Sequence, residues 1–452
     1  MYDLIVLGGG SAGYSAAMTA LSFKKRVCII EKGPFGGLCI LKGCMPSKTL
    51  IYSARINEII KKSKTFGINI EGKVSIDPSS IIERKNKIIK GFAEYRKEVV
   101  GGKKGIDIVY GKAEFVSKNE IKVNNKVIEG KNILISTGSK EFIPEIPGLK
   151  EAGYITSDEA LELKKFPKSM AILGAGPVAI ELGYYFNSLE VKTTVIQRGE
   201  QILSNSDYDC AKELENALKN KGILIYTDTS IKSLSKSDKG KKVIFDQNKQ
   251  EKEIIADEIL VAFGRKPNLE RLNLEKAGIS SEKGLIKNNV YLQTSTKNIY
   301  IAGDSSANLA VVNVAVEEGR VAVVNMFSKK KEKINYSIFP IAVFSHPEFA
   351  WIGISEKEAK EKNLNVKIGK FYFKDLGKAE CLDETEGFIK FVVDKKTNKI
   401  LGVSIVGNEA SDLIHEAVPL LYYKATLDDL KKMPHLHPTF GEIYSYLVDE
   451  MI

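Results

Sequence analysis

Short apolar runs recur along the chain, most of them broken by glycine, and each reads as a buried strand. Tyr2–Leu7 runs into Gly8-Gly9-Gly10-Ser11-Ala12-Gly13, and the alanine-rich Tyr14–Leu21 that follows predicts a helix. Arg26–Ile30 is the next apolar run and ends on Glu31. From Thr49 to Gly105 the chain is lysine-rich, and Ile59-Ile60, Ile81-Ile82 and Ile88-Ile89 give it a helical pattern. Alternation takes over from Ile106 to Val127, predicting short strands, and Ile133–Ser139 predicts an apolar strand ending in small residues. The opening pattern then returns. Met170–Leu173 leads into Gly174-Ala175-Gly176-Pro177-Val178-Ala179-Ile180-Glu181, a helix, and a strand at Lys192–Ile196. Ile259–Phe263 exits sharply through Gly264-Arg265-Lys266-Pro267-Asn268, and Asn298–Asp304 is a strand ending in a carboxylate. Past the lysine run Lys329–Lys333, a solvated linker, strands at Ile338–Phe344, Phe388–Val393 and Ile400–Val406 alternate with helices as a separate α+β domain.

The two glycine clusters carry the first chemistry. Gly8, Gly10 and Gly13 stand between a strand and a helix, where glycine permits a tight turn and close approach of a pyrophosphate. The helix N-terminus offers N–H donors, and Glu31, 23 residues after Gly8, suits a ribose hydroxyl. Gly174, Gly176 and Ala179 repeat the arrangement, so two dinucleotides are expected. The same offset from Gly174 reaches Gln197, with Arg198 next to it. A neutral side chain does not repel a 2′-phosphate and a guanidinium suits one, although an arginine past a strand is also an ordinary solvent-facing residue.

Composition narrows the class. The 452 residues are 43% hydrophobic and 27% charged, as in globular chains with room for several domains. The net charge of +10 comes from dispersed lysines without a basic, aromatic-laced stripe, which argues against a nucleic-acid partner. No apolar run of membrane-spanning length is present, and Tyr2–Leu7 lacks the flanks of a signal peptide. Five scattered cysteines do not form a secreted disulfide framework and suit a reducing, cytoplasmic setting.

Two of them are close. Cys39 and Cys44 lie five positions apart in Gly36–Lys48. Ordinary helix would hold their Cα atoms roughly 8.7 Å apart, beyond the ~4.4–6.8 Å of a disulfide. Bridging them requires a distorted helix start, for which Gly43 supplies backbone freedom, and a strained bridge is a labile one. The alternative is two thiols on a buried segment.

With these residues in hand the chain resembles the class I flavoprotein pyridine nucleotide-disulfide reductases over nearly its whole length, and most of all their dihydrolipoamide dehydrogenase branch. Gly36-Gly37-Leu38-Cys39 through Cys44-Met45-Pro46-Ser47-Lys48, both fingerprints, Thr137-Gly138, Gly264–Asn268, Ala302-Gly303-Asp304, His346-Pro347-Glu348 and His435–Thr439 carry the resemblance. It implies an α/β fold with two Rossmann-like domains and a C-terminal α+β dimerisation domain. Residues 1–145 and 266–330 are then the FAD domain, 146–265 the NAD(P) domain and 335–452 the interface of a homodimer. By resemblance Cys44 faces the flavin and Cys39 exchanges with substrate, while Lys48 stands beside the reactive ring nitrogen and pairs with Glu181. Glu31, Ala113, Thr137, Gly138 and Asp304 join Gly8, Gly10 and Gly13 around FAD. Gln197, Arg198 and Gly264 join Gly174, Gly176, Ala179 and Glu181 around the nicotinamide nucleotide. His437 is the acid–base, supplied by the other subunit, with Glu442 orienting it, and Thr439-Phe440-Gly441-Glu442 also reads as a capping box. His346, His415 and His435 are assigned to structure, and Cys28, Cys210 and Cys381 to the core or to chance.

The departures bear on substrate. Leu38 replaces the usual threonine, Leu41-Lys42 replace Asn-Val, and Asn313 stands where dihydrolipoamide dehydrogenases carry histidine. The expected absence of a C-terminal cysteine pair argues against a mercuric reductase, and Ser47 and Pro177 argue against a glutathione reductase. No lipoyl or metal-binding appendage is expected. The resulting expectation is an FAD enzyme passing electrons between NAD(P)H and a dithiol or disulfide such as lipoamide, with NADPH used at least as well as NADH. An NADPH-driven reductase of another small disulfide is the alternative, and a non-catalytic redox sensor a distant one.

Overall fold

The N-terminal apolar run forms β1 (Tyr2–Leu7), followed by helix α1 (Ser11–Ser22) and β2 (Val27–Glu31). All 452 residues are described in this computed structural model. After β2 come the short helix α2 (Gly37–Lys42), α3 (Cys44–Lys62) and α4 (Pro78–Gly101). Strands β3 (Ile106–Tyr110), β4 (Ala113–Phe115), β5 (Glu120–Val123) and β6 (Lys126–Ile135) follow. Contacts divide the chain into two units. Met1–Ser47, Ile82–Phe142 and Arg265–Tyr336 make the first, and Lys48–Ile81, Ile143–Gly264 and Ser337–Ile452 the second.

In the first unit the sheet order is β3-β2-β1-β6-β5-β4, with Ile299–Ile301 pairing parallel to β6. β3, β2, β1 and the second half of β6 are parallel, and parallel strands need apolar cover on both faces. Leu4 and Val6 point to one face, against Ala12, Ala16, Ala17 and Ala20 of α1, while Ile5 and Leu7 point to the other, with Phe115 and Ile121. Small residues let the helices approach. A Cβ on Gly319, in the helix Val312–Phe327, would fall 2.2 Å from the Ala12 carbonyl oxygen.

The second unit holds a four-stranded parallel sheet in the order Leu224–Tyr226, Lys192–Ile196, Ser169–Leu173 and Glu258–Val261. It also contains an antiparallel three-stranded sheet, Thr229–Ser237, Gly240–Gln247 and Gln250–Ala256. The C-terminal segment builds a five-stranded antiparallel sheet in which Phe388–Asp394 and Ile400–Gly407 are interior strands. The helices Ala410–Tyr422 and Glu442–Met451 cover it with Ile414, Leu420, Tyr444 and Leu447.

One charge lies inside this unit. Lys390 is 1% exposed, and its Nζ donates to Asp209 (2.9 and 3.0 Å) and Glu356 (2.7 Å) and stands 3.3 Å from Asp207. Burial alone would lower its pKa, but the carboxylates outweigh burial and hold it above its ordinary value. Asp207, Asp209 and Cys210 bring potential metal-ligand atoms within 4.8 Å of one another, yet the ammonium already supplies the positive charge there. Asp207 also accepts the N–H groups of Glu356 and Lys357, both at 3.1 Å, at the start of the helix Glu356–Glu361.

Candidate functional site

The two glycine turns are near copies. Gly8 has φ +105° and Gly174 φ +107°, a left-handed region that favours glycine. A Cβ at either would lie 2.5 Å from a carbonyl oxygen, that of Ser136 or of Ala262. Each donates its N–H to the neighbouring strand at 2.8 Å, Gly8 to Ile30 and Gly174 to Ile196. Gly10 and Gly176 are the extended N-caps of the following helices, whose first N–H groups are turned toward the turn. The third positions differ. A Cβ on Gly13 would meet the Gly8 carbonyl oxygen at 1.9 Å, whereas Ala179 is accommodated with no exposure.

Around the first turn, Glu31 is buried and accepts the Gly9 N–H at 2.8 Å and the Gly33 N–H at 3.2 Å. Thr137 Oγ1 is buried without a hydrogen-bond partner, and Gly138 follows it at φ +69°. Asp304 accepts the Ser139 hydroxyl at 2.6 Å, and Arg265 Nε donates to that same hydroxyl at 2.9 Å. Ala113 opens β4 opposite Val123. An orphaned hydroxyl, a glycine cradle and a helix N-terminus together fit the phosphates and polyol of FAD.

Sequence reasoning missed Glu318, which lies beneath the Asp304 turn and is wholly buried. It accepts from Gly303 N–H (2.6 Å), Ser306 Oγ (3.1 Å), Asn308 Nδ2 (2.9 Å) and the Tyr336 hydroxyl (2.7 Å). Burial raises its pKa, opposed by these donors. No local pattern marks it, because its donors come from residues 10 to 18 positions away.

The cysteine pair is bedded against the first turn. Cys39 is in α2 and Cys44 is the first residue of α3, both half-buried. Gly36 and Gly37 have φ +142° and +67°, and a Cβ on Gly37 would fall 2.5 Å from the Gly10 Cα. Gly43 breaks the helix between the cysteines, where a Cβ would be 3.0 Å from the Leu38 carbonyl oxygen. The distorted helix start expected from spacing is therefore a two-helix break.

Lys48 lies one turn beyond Cys44 on α3. Its Nζ donates to Glu181 Oε1 and Oε2 at 2.9 and 2.8 Å. Gly264 follows Glu258–Val261 with φ +96°. At the end of Lys192–Ile196, Gln197 is half-buried with its Nε2 on the Gln201 carbonyl (3.2 Å), and Arg198 is exposed.

His437 is 74% exposed, and its Nδ1 lies 2.8 Å from Glu442 Oε1. With Glu442 ionised, the Nδ1–H tautomer donates to the carboxylate and leaves Nε2 as the accepting ring nitrogen. Burial pushes Glu442 up, but the Thr439 N–H and the His437 ring outweigh it and hold the carboxyl below its ordinary value. The capping-box expectation at Thr439 is corrected. The helix starts at Glu442 with Gly441 as N-cap, and the Thr439 hydroxyl donates to the Leu436 carbonyl instead. Only the reciprocal half survives, Thr439 N–H to Glu442 at 2.8 Å. His435 is held by Glu416 (2.6 Å) and Ser445 (2.5 Å), and buried His346 by Glu384 (2.9 Å).

Known proteins match nearly the whole chain. Residues 2–319 match the model of the pyridine nucleotide-disulphide oxidoreductases, and residues 339–447 match that family's dimerisation domain. A mercuric reductase of Staphylococcus aureus is 35% identical over 95% of this chain and 78% of its own. A dihydrolipoyl dehydrogenase of Geobacillus stearothermophilus is 35% identical over 98% of this chain and 94% of its own. Among solved structures, the HOCl-induced flavoprotein disulfide reductase RclA from Escherichia coli superposes with a TM-score of 0.89 at 25% identity, covering 99% of each chain.

Proposed function

This chain belongs to the pyridine nucleotide-disulphide oxidoreductases, and from that premise we propose that it oxidises a small dithiol of the lipoamide type at Cys39 and Cys44. The observation that carries the reading is the close packing of Gly37 on Gly10, which sets the cysteine helix against the first dinucleotide turn. The proposal assigns FAD to the Gly8–Gly13 turn with Glu31, Thr137, Gly138 and Asp304, and NAD(P) to the Gly174–Ala179 turn with Gln197 and Arg198. It places the working enzyme in a reducing, cytoplasmic compartment as a homodimer.

In the dehydrogenase direction, one substrate thiolate attacks Cys39 Sγ of a Cys39–Cys44 bridge. The bridge breaks and Cys44 leaves as a thiolate from the first residue of the helix that carries Lys48. His437 Nε2, supplied by the other subunit, takes the proton of the second substrate thiol, whose sulfur then displaces Cys39. The products are a cyclic disulfide and two reduced cysteines, so two electrons have entered the pair. When bound, FAD supplies the electron relay between that pair and the nicotinamide. Glu442 keeps the His437 proton on Nδ1, so Nε2 remains the accepting atom.

Steady-state turnover with lipoamide, glutathione disulfide, coenzyme A disulfide and mercuric ion, each with NADH and NADPH, tests the proposal. Lipoamide should give the highest kcat/KM. A larger value for another disulfide moves the assignment to that substrate, and a larger value for mercuric ion moves it to the chemistry named for the Staphylococcus relative. Cys44→Ser should abolish the long-wavelength thiolate-to-flavin band of the two-electron-reduced protein, and a band equal to the parent's would reverse the roles of the cysteines.

A further inference from the structure

Phe344 follows the strand Ile341–Val343 and reaches the Lys48–Glu181 pair in two ways. The centre of its ring is 4.3 Å from Lys48 Nζ, and its backbone N–H donates to Glu181 Oε1 at 3.1 Å. One residue thus touches both partners of the ion pair. The next turn of contacts repeats the attachment. His346 is 2.9 Å from Glu384, and Glu384 accepts Arg55 Nη2 at 2.5 Å from the same helix that carries Lys48. The segment 344–346 is therefore fixed to α3 at Lys48 directly and at Arg55 through Glu384.

We infer that Phe344 is a positioning residue for the Lys48 ammonium. The inference rests on the proposed place of Lys48 beside the flavin. Glu181 engages the ammonium with both oxygens, but the Lys48 side chain is still 32% exposed, so water reaches the charge from its other sides. The negative face of an aromatic ring attracts the cation and excludes water from that side. The charge is thereby held in one place in a medium of lower dielectric. A fixed, poorly solvated cation stabilises an electron-rich flavin more than a mobile, hydrated one does. The backbone bond to Glu181 is retained in any side-chain variant, so substitution isolates the ring.

The test is the two-electron potential of the bound flavin, measured by dye-equilibrated reduction of the purified holoprotein. Phe344→Leu keeps apolar bulk and removes the ring. It should disfavour reduction about three- to tenfold, or about 15–30 mV more negative at about 30 mV per tenfold for two electrons. Phe344→Tyr, which keeps the face, should stay within about twofold of the parent. In a Lys48→Met background Phe344→Leu should add nothing, as expected when one residue acts through the other. A parent-like potential for Phe344→Leu, or a shift of equal size in the Lys48→Met background, overturns the inference. If Phe344→Leu does not load flavin, Phe344→Met is measured in its place by the same criteria. Lys48→Met alone tests the underlying reading. If it leaves the potential unmoved, the placement of Lys48 is wrong, an outcome distinct from a failure of Phe344 to act through it.

Discussion

Gly37 packs on Gly10 so closely that a Cβ on Gly37 would lie 2.5 Å from the Gly10 Cα. The clash is with backbone, and Gly37 also has φ +67°, so no rotamer relieves it. Gly37→Ala should destabilise the protein by more than about 2 kcal/mol, read by urea unfolding. Gly176→Ala is the contrast, because nothing lies within 4 Å of the point a methyl there would occupy, and its φ is −76°. It should leave stability nearly unchanged while raising KM for the nicotinamide nucleotide about tenfold, since the proposed function brings the pyrophosphate to this turn.

His437→Gln should lower turnover about 10²–10⁴-fold, the range for loss of a general base, with the flavin spectrum unchanged. Glu442→Gln keeps an acceptor for the Thr439 N–H but no charge for the ring, so a smaller loss, about ten- to hundredfold, is expected. Heterodimers of His437→Gln with Cys44→Ser have one doubly damaged and one intact site if the histidine acts across the dimer. About half the parent activity per heterodimer should return. No return with heterodimers formed would refute action across the interface.

Arg198→Ala should cost NADPH about 1.5–3 kcal/mol in kcat/KM, the scale of a lost charge-assisted hydrogen bond, and leave NADH almost unaffected. Equal losses for both nucleotides, or a parent enzyme favouring NADH more than tenfold, would leave Arg198 as a solvent-facing residue.

Acid should weaken the second unit through Glu384. Burial tends to raise this carboxyl, but the His346 ring and the Arg55 guanidinium more than offset it, and it is pushed down to about 2 from 4.5. Burial holds His346 itself below its ordinary value, so at neutral pH the ring acts as a hydrogen-bond donor and Arg55 supplies the charge. Its side chain is only 12% exposed. A depressed carboxyl contributes stability above its unfolded pKa and loses that contribution as pH falls, here between about 4.5 and 2. Glu384→Gln should cost on the order of 2 kcal/mol at pH 7 and flatten the acid limb of stability against pH, both measurable by urea titration. An acid limb parallel to the parent's would place the sensitivity elsewhere.

Much of the site was legible because its signals are local. Gly8 and Gly174 announce their turns through neighbours within a few positions, and Cys39, Cys44 and Lys48 occupy one short segment. What escaped depends on distant packing. Phe344 meets Glu181 across 163 positions, and Arg55 meets Glu384 across 329, with nothing in either neighbourhood to mark the meeting. The Thr439 capping box failed for a related reason. Its glutamate has a competing partner in His437, and the helix starts two residues later than a box at Thr439 requires. Lys390 looked like any strand residue until three carboxylates gathered on it.

The buried cysteines have a consequence for traffic in sulfur. Cys28 has no exposure and burial pushes its thiol up to about 12, while burial, the largest influence, raises Cys210 well above its ordinary value. Both therefore stay protonated, and a protonated thiol is a poor nucleophile toward a disulfide. A protein that handles reactive disulfides runs the risk of being scrambled by its own substrate. Here mixed disulfides and alkylating reagents should find Cys39, Cys44 and exposed Cys381 in the reduced native state, and reach Cys28 and Cys210 only on unfolding.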